Sequence, residues 1–580
     1  MHEKRINMKS SQPVFFLKLR QLGVEKLVAI VATVYVAVLL VLMAMYAGPL
    51  WRDEVNTANI AGMPSLQEMW NNMPFESFPP LWPLLLRGCS MLGLAGSDAA
   101  IRVLGLYVGL FFLTSLWLAS RWMGNRPPIL SIALLGCLPS FIFIVGSNRA
   151  YGLASCLLVL SFGVIWRVVE LPSRSRILWA GLICILFTQS VYYDVIFLFA
   201  MLAGGAVVAL RRRCGKTFVA LAGIGVISSG SLVIYLPIIR HGAAYTEMNQ
   251  LSSPDFPSTF QFLWDKLANT LTFRSSAEAG LNGLEIWLWV ALVLVGSILA
   301  IRKQFLRRLP AQNILPRGAI AADKQADLAL YCFVSMVLGT LVYLAFLLKL
   351  RYPTQTWYYV EMLCLCAISI EGLLGASLPV LRPWGLLRIG FMVLMMAWGA
   401  RSAWAEAHTR RSNMDLVATI LSNDTVAGDL IVVQSSWEGI TFNRYYHGQA
   451  RWVTVPPIDS HLVHRNDQAL ESMKQEMEQQ APMSSVLHSI TNTLQAGNAV
   501  WLVGNMVVEH PRPSPASGLP FKLFRTYVNY WSGEVAVLLV NHARHEQVVD
   551  TPVDKPVCAL ENLPLIRFTG YKSGSSSENK

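Results

Sequence analysis

Trp51-Arg52-Asp53-Glu54 follows directly on an apolar run from Leu27 to Leu50, so two adjacent carboxylates stand where a first membrane span would leave the bilayer. A carboxylate held there can take a proton from an acceptor hydroxyl. Neighbouring residues point in different directions, so Asp53 and Glu54 need not share one task. The plain alternative is a solvated loop start: a charged residue costs about 2.5–3.5 kcal/mol at the centre of a span, but that cost largely disappears at a helix exit. Other ionisable and hydroxyl side chains recur at turns that would lie on the same face. Glu76 precedes Phe78-Pro79-Pro80-Leu81, Arg102 lies one turn inside the next apolar run, and Arg149 and Tyr151 sit in the turn SNRAYG. Asp194 follows Tyr192-Tyr193, and Lys349, Arg351 and Tyr352 follow a later run. Guanidinium forks match phosphate oxygens, which points to an anionic headgroup. Snorkelling of each arginine to lipid phosphates is the competing reading, and it fits Arg102 and Arg149 less well because each opens a span.

The elements that must hold these side chains are apolar and long. The 580-residue chain is 54% hydrophobic and 14% charged, well short of the roughly 25% charged residues of soluble domains. Spans are expected near 27–50, 98–120, 129–146, 150–166, 177–193, 195–210, 217–238, 284–301, 328–347, 357–375 and 386–404, eleven in all. Residues 1–26 are basic, and the run that follows exceeds the roughly 7–15 residues of a signal-peptide core, so it reads as a retained span with a cytoplasmic N-terminus. On that footing the N-terminus and inner loops hold 23 Lys and Arg against nine in the outer loops and span mouths, which follows the positive-inside rule. Residues 79–96 are apolar too, but a twelfth span would invert every later loop. They are expected as an amphipathic or re-entrant helix inside a first outer loop, 51–97. A second outer loop covers 239–283, and the odd span count places everything after Trp404 outside.

Residues 1–404 carry a net charge of +15 and residues 405–580 one of −3. The basic residues lie between apolar runs rather than along a soluble stripe, which excludes nucleic acid as the main partner. Residues 405–545 read as a small α/β domain: a helix at 414–421, buried strands at 429–434, 499–504 and 535–540, and helical polar stretches around 461–495. Residues 546–580 read as a C-terminal tail whose last residues, SGSSSENK, are expected to be disordered. No GxGxxG or GxxxxGK[ST] accompanies the strands. Seven of the nine cysteines lie in apolar stretches as small hydrophobes, and no Cys or His spacing fits a disulfide framework or a zinc site. No metal or cofactor is expected.

Taken in order, these residues resemble the GT-C superfamily of membrane glycosyltransferases, which includes protein O-mannosyltransferases and the bacterial enzymes that add aminoarabinose to lipid A. The resemblance runs over most of 27–404. It comprises a basic N-terminus, one span, the acidic pair Asp53-Glu54, the helix start Pro79-Pro80-Leu81-Trp82, the span opening Ala99-Ala100-Ile101-Arg102-Val103, then Asn148-Arg149-Ala150-Tyr151-Gly152 and Arg351-Tyr352. Ala427-Gly428-Asp429-Leu430-Ile431-Val432-Val433 is similar to the outer domain of bacterial members. The resemblance implies a GT-C fold of about eleven transmembrane helices with a C-terminal α/β extracytoplasmic domain, in the bacterial inner membrane. It also implies transfer of a sugar from a polyprenyl-phosphate-linked donor to a hydroxyl acceptor (lipid, glycan or protein) on the periplasmic face. Asp53 would be the base, with Glu54 beside it. Arg102 and Arg149 would hold the leaving phosphate, and Arg52, Glu76, Tyr151, Asp194, Arg351 and Tyr352 would complete the substrate site. No metal is needed, because fixed positive charge can stabilise a phosphate leaving group. Two departures stand out. Many members have His or Lys where this chain has Phe78, and Arg351-Tyr352 lies further from the next span than the pattern expects. The rival readings are a lipid-linked glycan transporter or flippase, and a surface-polysaccharide ligase or polymerase. A transporter would be expected to show matching halves and midplane charges.

Overall fold

The computed structural model describes residues 12–74, 76, 78–94, 97–124, 126–248, 256–277, 284–307, 316–377, 382–463, 467–479, 483–505 and 524–572. Long helices dominate the first 407 residues. The helix α1 (Gln12–Tyr46) is followed by three short helices, α2 (Arg52–Ala61), α3 (Leu66–Asn71) and α4 (Leu81–Met91). Then come α5 (Asp98–Gly124), α6 (Ile129–Leu135), α7 (Pro139–Val145), α8 (Ala150–Glu170), α9 (Arg174–Thr188), α10 (Asp194–Arg211) and α11 (Gly215–Gly230). The bundle is completed by α12 (Leu236–Met248), α13 (Phe256–Leu271), α14 (Leu284–Arg307), α15 (Pro316–Leu350), α16 (Val360–Ser377) and α17 (Arg382–Ala407).

Among the described residues nine helices are long and apolar enough to cross a membrane, and large apolar side chains such as Leu27, Val31, Phe199, Val226 and Ile298 stand exposed on them. The chain is a multi-pass membrane protein. The other two expected spans are present in a different form. The segment 129–146 breaks into α6 and α7 around Gly136, and α9 has only 15 residues, short of the roughly 20 a helix needs to span. The centre of the bundle is built from α8 and α16, whose apolar stretches are 89% and 94% buried; being apolar on nearly every side, with Glu361 and Glu371 the buried exceptions on α16, they suit a position surrounded by other helices. Close approach at three glycines then sets the geometry near the site. A Cβ on Gly105 of α5 would lie 2.2 Å from the Gly146 carbonyl oxygen, and one on Gly152 of α8 would lie 2.3 Å from the Val145 carbonyl oxygen. Only glycine lets these backbones pack so closely.

The first outer loop expected over 51–97 is folded rather than open, since α2, α3 and α4 occupy it. Pro80 caps α4, and its 11 residues are too short to cross a bilayer, so α4 is not a twelfth span.

The C-terminal part is a sheet with helices on both faces. It comprises α18 (Met414–Asp424), β1 (Leu430–Gln434), α19 (Gly439–Tyr445), β2 (Arg451–Val455), α20 (Asp467–Glu478), α21 (Ser484–Gln495), β3 (Val500–Val503), α22 (Phe524–His542), β4 (Ala543–Val549) and β5 (Leu565–Tyr571). The strand order is β2-β1-β3-β5-β4, with β2, β1 and β3 parallel and β5 antiparallel to both β3 and β4. Leu430 and Val432 face Ile490 and Trp531, whereas Ile431 and Val433 face Met414, Leu421 and Phe442. Burial on both faces explains why β1 reads as one continuous apolar run.

Two expectations are corrected here. The run 535–540 is helical, because it continues the spacing Tyr527-Trp531-Val535-Leu539 of α22, all buried on one face; six apolar residues alone do not distinguish strand from helix. The stretch assigned to a tail from 546 supplies most of β4 and all of β5. It was obscured because β4 is an edge strand with exposed polar side chains. The expected disorder of SGSSSENK and the basic residues Lys4, Arg5 and Lys9 lie outside the described residues.

Candidate active site

The site begins where α2 leaves α1. Trp51 caps α2, and Glu54, three residues on, reaches back to accept the Trp51 backbone N–H at 3.3 Å, one arm of a capping box. Fully buried, Glu54 also accepts from Arg102 Nη1 at 2.6 Å and from the Asn148 backbone N–H at 2.8 Å. Arg102 completes its fork on the Pro49 carbonyl at 2.7 Å. One carboxylate thus ties α2, α5 and the turn before α8 together, at the level where Gly105 and Gly146 bring the backbones into contact.

Asp53 differs. Its side chain keeps 11% of its exposure where that of Glu54 keeps none, and it accepts from Arg52 Nε at 3.1 Å. Beneath it Arg149, at the cap of α8, donates from Nη1 to the Asp53 carbonyl at 3.0 Å, to Thr57 Oγ1 at 2.8 Å and to Glu76 at 3.3 Å. Asn56 donates to the other oxygen of Glu76. The guanidinium lies 4.8 Å from the centroid of Phe78, a favourable cation–π placement. Phe78, the departure from the family pattern, is therefore a fully buried platform under Arg149, with no exposure toward a headgroup.

Arg52 links this group to the sheet domain. Its Nη1 lies 3.4 Å from Glu438, and its backbone N–H donates to Glu561 at 2.8 Å. Burial opposes the Arg52 charge, but Asp53, Glu438 and Glu561 outweigh it and hold its pKa above the ordinary value. Burial raises Glu438, with Arg52 pulling the other way. Burial also pushes Glu561 up to about 8, helped by nearby Glu438 and opposed by the Arg52 backbone N–H. Further docking contacts join Arg444 to Asp98 at 2.5 Å and the Tyr445 hydroxyl to the Leu50 N–H at 2.8 Å.

The remaining expected residues form a second group. Asp194 opens α10 fully buried, accepting the Val191 N–H at 3.1 Å. The Tyr193 hydroxyl lies 3.4 Å from Glu361, at the start of α16. The Tyr358 ring stands 6.5 Å from Tyr151, 6.1 Å from Tyr193 and 6.3 Å from Tyr352, so Tyr151 and Tyr352 belong to one aromatic wall. Arg351 is exposed just past α15, in the left-handed region at φ 51°.

Asp53, Glu54, Arg52, Glu76, Arg102 and Arg149 are thus brought together, and Tyr151, Asp194 and Tyr352 lie along the tyrosine wall. Arg102, expected beside a leaving phosphate, is 5% exposed and turned toward Glu54 and Pro49. Glu361, Glu438 and Glu561 were missed. Glu361 had a signal, because a carboxylate inside an apolar span is a functional candidate by default; the other two had none. Among the described residues no three His, Cys, Asp or Glu side chains gather as a metal-holding group.

No protein-family model matches the sequence, and no curated protein matches it. Solved structures do resemble it in fold. The archaeal oligosaccharyltransferase AglB from Archaeoglobus fulgidus, in complex with an inhibitory peptide and a dolichol-phosphate, superposes with a TM-score of 0.44 at 12% identity, over 95% of this chain and 75% of that one. ArnT from Cupriavidus metallidurans bound to undecaprenyl phosphate gives 0.35 at 14% identity, over 92% of this chain and 97% of that one. The apo form of ArnT gives 0.34 at 15% identity, over 81% and 92%.

Proposed function

We propose that the chain is a GT-C glycosyltransferase that moves a sugar from a polyprenyl-phosphate-linked donor to a hydroxyl acceptor, on the periplasmic face of a bacterial inner membrane. The observation that supports the reading is the contrast within the acidic pair: Glu54 is closed off by three donors, whereas the Asp53 side chain, paired with Arg52, keeps 11% exposure. Asp53 takes the acceptor's O–H proton, the acceptor oxygen forms the new bond to the anomeric carbon, and the bond from that carbon to the phosphate oxygen breaks with inversion. The electron pair leaves on the phosphate, whose charge meets the field of the half-buried Arg52 in a partly dehydrated site, with Arg149, 5% exposed and held by Thr57 and Glu76, acting only at a distance. Glu54 and Arg102 act as positioning residues. The tyrosine wall, with Asp194 and Arg351 near its ends, lines the way in for the donor.

The test is label transfer from a mixture of polyprenyl-phosphate sugars to a host-envelope extract, in membranes holding equal amounts of wild type or Asp53→Asn. Wild type is expected to transfer, and the variant to lose about 10²–10⁴-fold. Equal transfer by both proteins removes Asp53 from the base role. No transfer by wild type from any donor moves the flippase and ligase readings ahead.

A further inference from the structure

The sheet domain carries a polar cavity that the transfer chemistry above does not use. The chain runs from β1 outward to β2 and then crosses back to β3 on the other side of β1. The carboxyl ends of β1 and β3 therefore form a topological switch point, where open parallel sheets leave a crevice for ligands. A cavity of about 190 Å³ lies there, its walls including Ser435, Trp437, Glu438, Asn505, Asn529 and Asn562. Gly504 makes the opening possible. It holds φ +120°, and a Cβ there would lie 2.4 Å from the Gln434 carbonyl oxygen, so only glycine lets the chain leave β3 against β1 and carry Asn505 to the rim.

The lining selects a chemical class. Among its described residues it contains no Lys or Arg, and its one charged residue, Glu438, is paired with Arg52, so it lacks the cationic forks that hold a phosphate. Carboxamides offer both donors and acceptors, as hydroxyl groups do. An aromatic ring beside them suits the apolar face of a sugar ring. Glu438 also connects the cavity to the reaction centre, since the same carboxylate pairs with Arg52, which pairs with Asp53. We propose that this cavity is the subsite for a neutral sugar of the acceptor, placing the acceptor's hydroxyl toward Asp53. The acceptor is then a glycan or a glycan-bearing molecule; this names the acceptor class within the transferase reading and rests on it.

The experiment uses the full chain in detergent and an array of neutral oligosaccharides built from hexose and N-acetylhexosamine units. Wild type is expected to bind at least one of them. Asn529→Ala and Asn562→Ala, each removing a hydrogen-bonding arm at the rim, are expected to weaken that binding about tenfold. With the bound oligosaccharide as acceptor, the two asparagine variants raise the acceptor KM and leave the donor KM unchanged. Unaltered thermal unfolding of both variants separates lost contacts from lost fold, and Asn505→Ala supplies a third rim position if either unfolds early. The proposal is overturned if wild type binds nothing on the array, or if the rim variants bind as wild type. If binding and its loss are observed but Asp53→Asn still transfers sugar, the sugar subsite stands and the base assignment fails.

Discussion

Glu54 is the residue whose removal tests the architecture of the site most directly. In Glu54→Ala the Arg102 guanidinium, 5% exposed, keeps only the Pro49 carbonyl as a partner. Stranding one member of a buried ion pair costs about 3–5 kcal/mol. The Trp51 and Asn148 N–H groups lose their acceptor as well, at about 1–3 kcal/mol each if nothing replaces it. The three donors share one carboxylate and relax together, so these losses overlap, and the expected destabilisation is about 4 kcal/mol. Glu54→Gln combined with Arg102→Met removes both charges at similar volume, and such replacements are often neutral or stabilising. The pair is therefore expected to show a favourable coupling of about 2 kcal/mol in a double-mutant cycle. The assay is denaturant-driven unfolding in mixed micelles, followed by near-UV circular dichroism and by tryptophan fluorescence, with coincident transitions required. The reasoning is refuted if Glu54→Ala costs no more than about 0.5 kcal/mol, the scale of an ordinary surface substitution, or if the two single changes simply add in the double variant.

Three further outcomes follow from the same contacts. Gly105→Val is expected to destabilise the chain by about 1–3 kcal/mol or more through overpacking, because its Cβ would meet the Gly146 carbonyl oxygen at 2.2 Å; the same unfolding assay checks it, and a neutral result would mean the two backbones can part freely. Phe78→Ala opens a cavity under Arg149 at about 3–5 kcal/mol, and it should lower transfer more than Phe78→Tyr, which keeps the ring; equal transfer by the two would remove the platform role. The third concerns pH. With Glu561 raised to about 8, the native state holds a proton that the unfolded chain, with a carboxyl near 4.3, has already released. Stability contributed by this group is therefore full below that unfolded value and falls as pH rises toward 8, by at most about 1.4 kcal/mol per pH unit. Glu561→Gln should flatten that part of the unfolding-versus-pH curve, and a curve of unchanged slope would show that Glu561 does not hold the proton.

The amino-acid sequence was enough for the class of fold and for naming several of the residues that the structure brings into one cluster. Span length, the charge asymmetry of the loops and the short helix after Pro79-Pro80 are local properties of composition, governed by what a bilayer accepts along one segment. For the same reason the acidic pair at the exit of α1 and the arginines at the openings of α5 and α8 could be read as a group on one face. Tertiary structure decided which member of the pair is the more deeply enclosed. Glu54 and Asp53 are adjacent and chemically alike, and only the arrival of Arg102 and the Asn148 N–H from elements 48 and 94 residues away closes Glu54 completely while the Asp53 side chain keeps 11% exposure beside Arg52. It also decided that Phe78 lies under Arg149 and that Glu438 and Glu561, nearly 400 and more than 500 residues along the chain, meet Arg52. No local pattern marks those two glutamates, because their role depends on where the sheet meets α2. The misread strand at 535–540 has the same origin: whether six apolar residues extend or coil was settled by the partners that buried them, Ile490 and the strands of the sheet, rather than by the residues themselves.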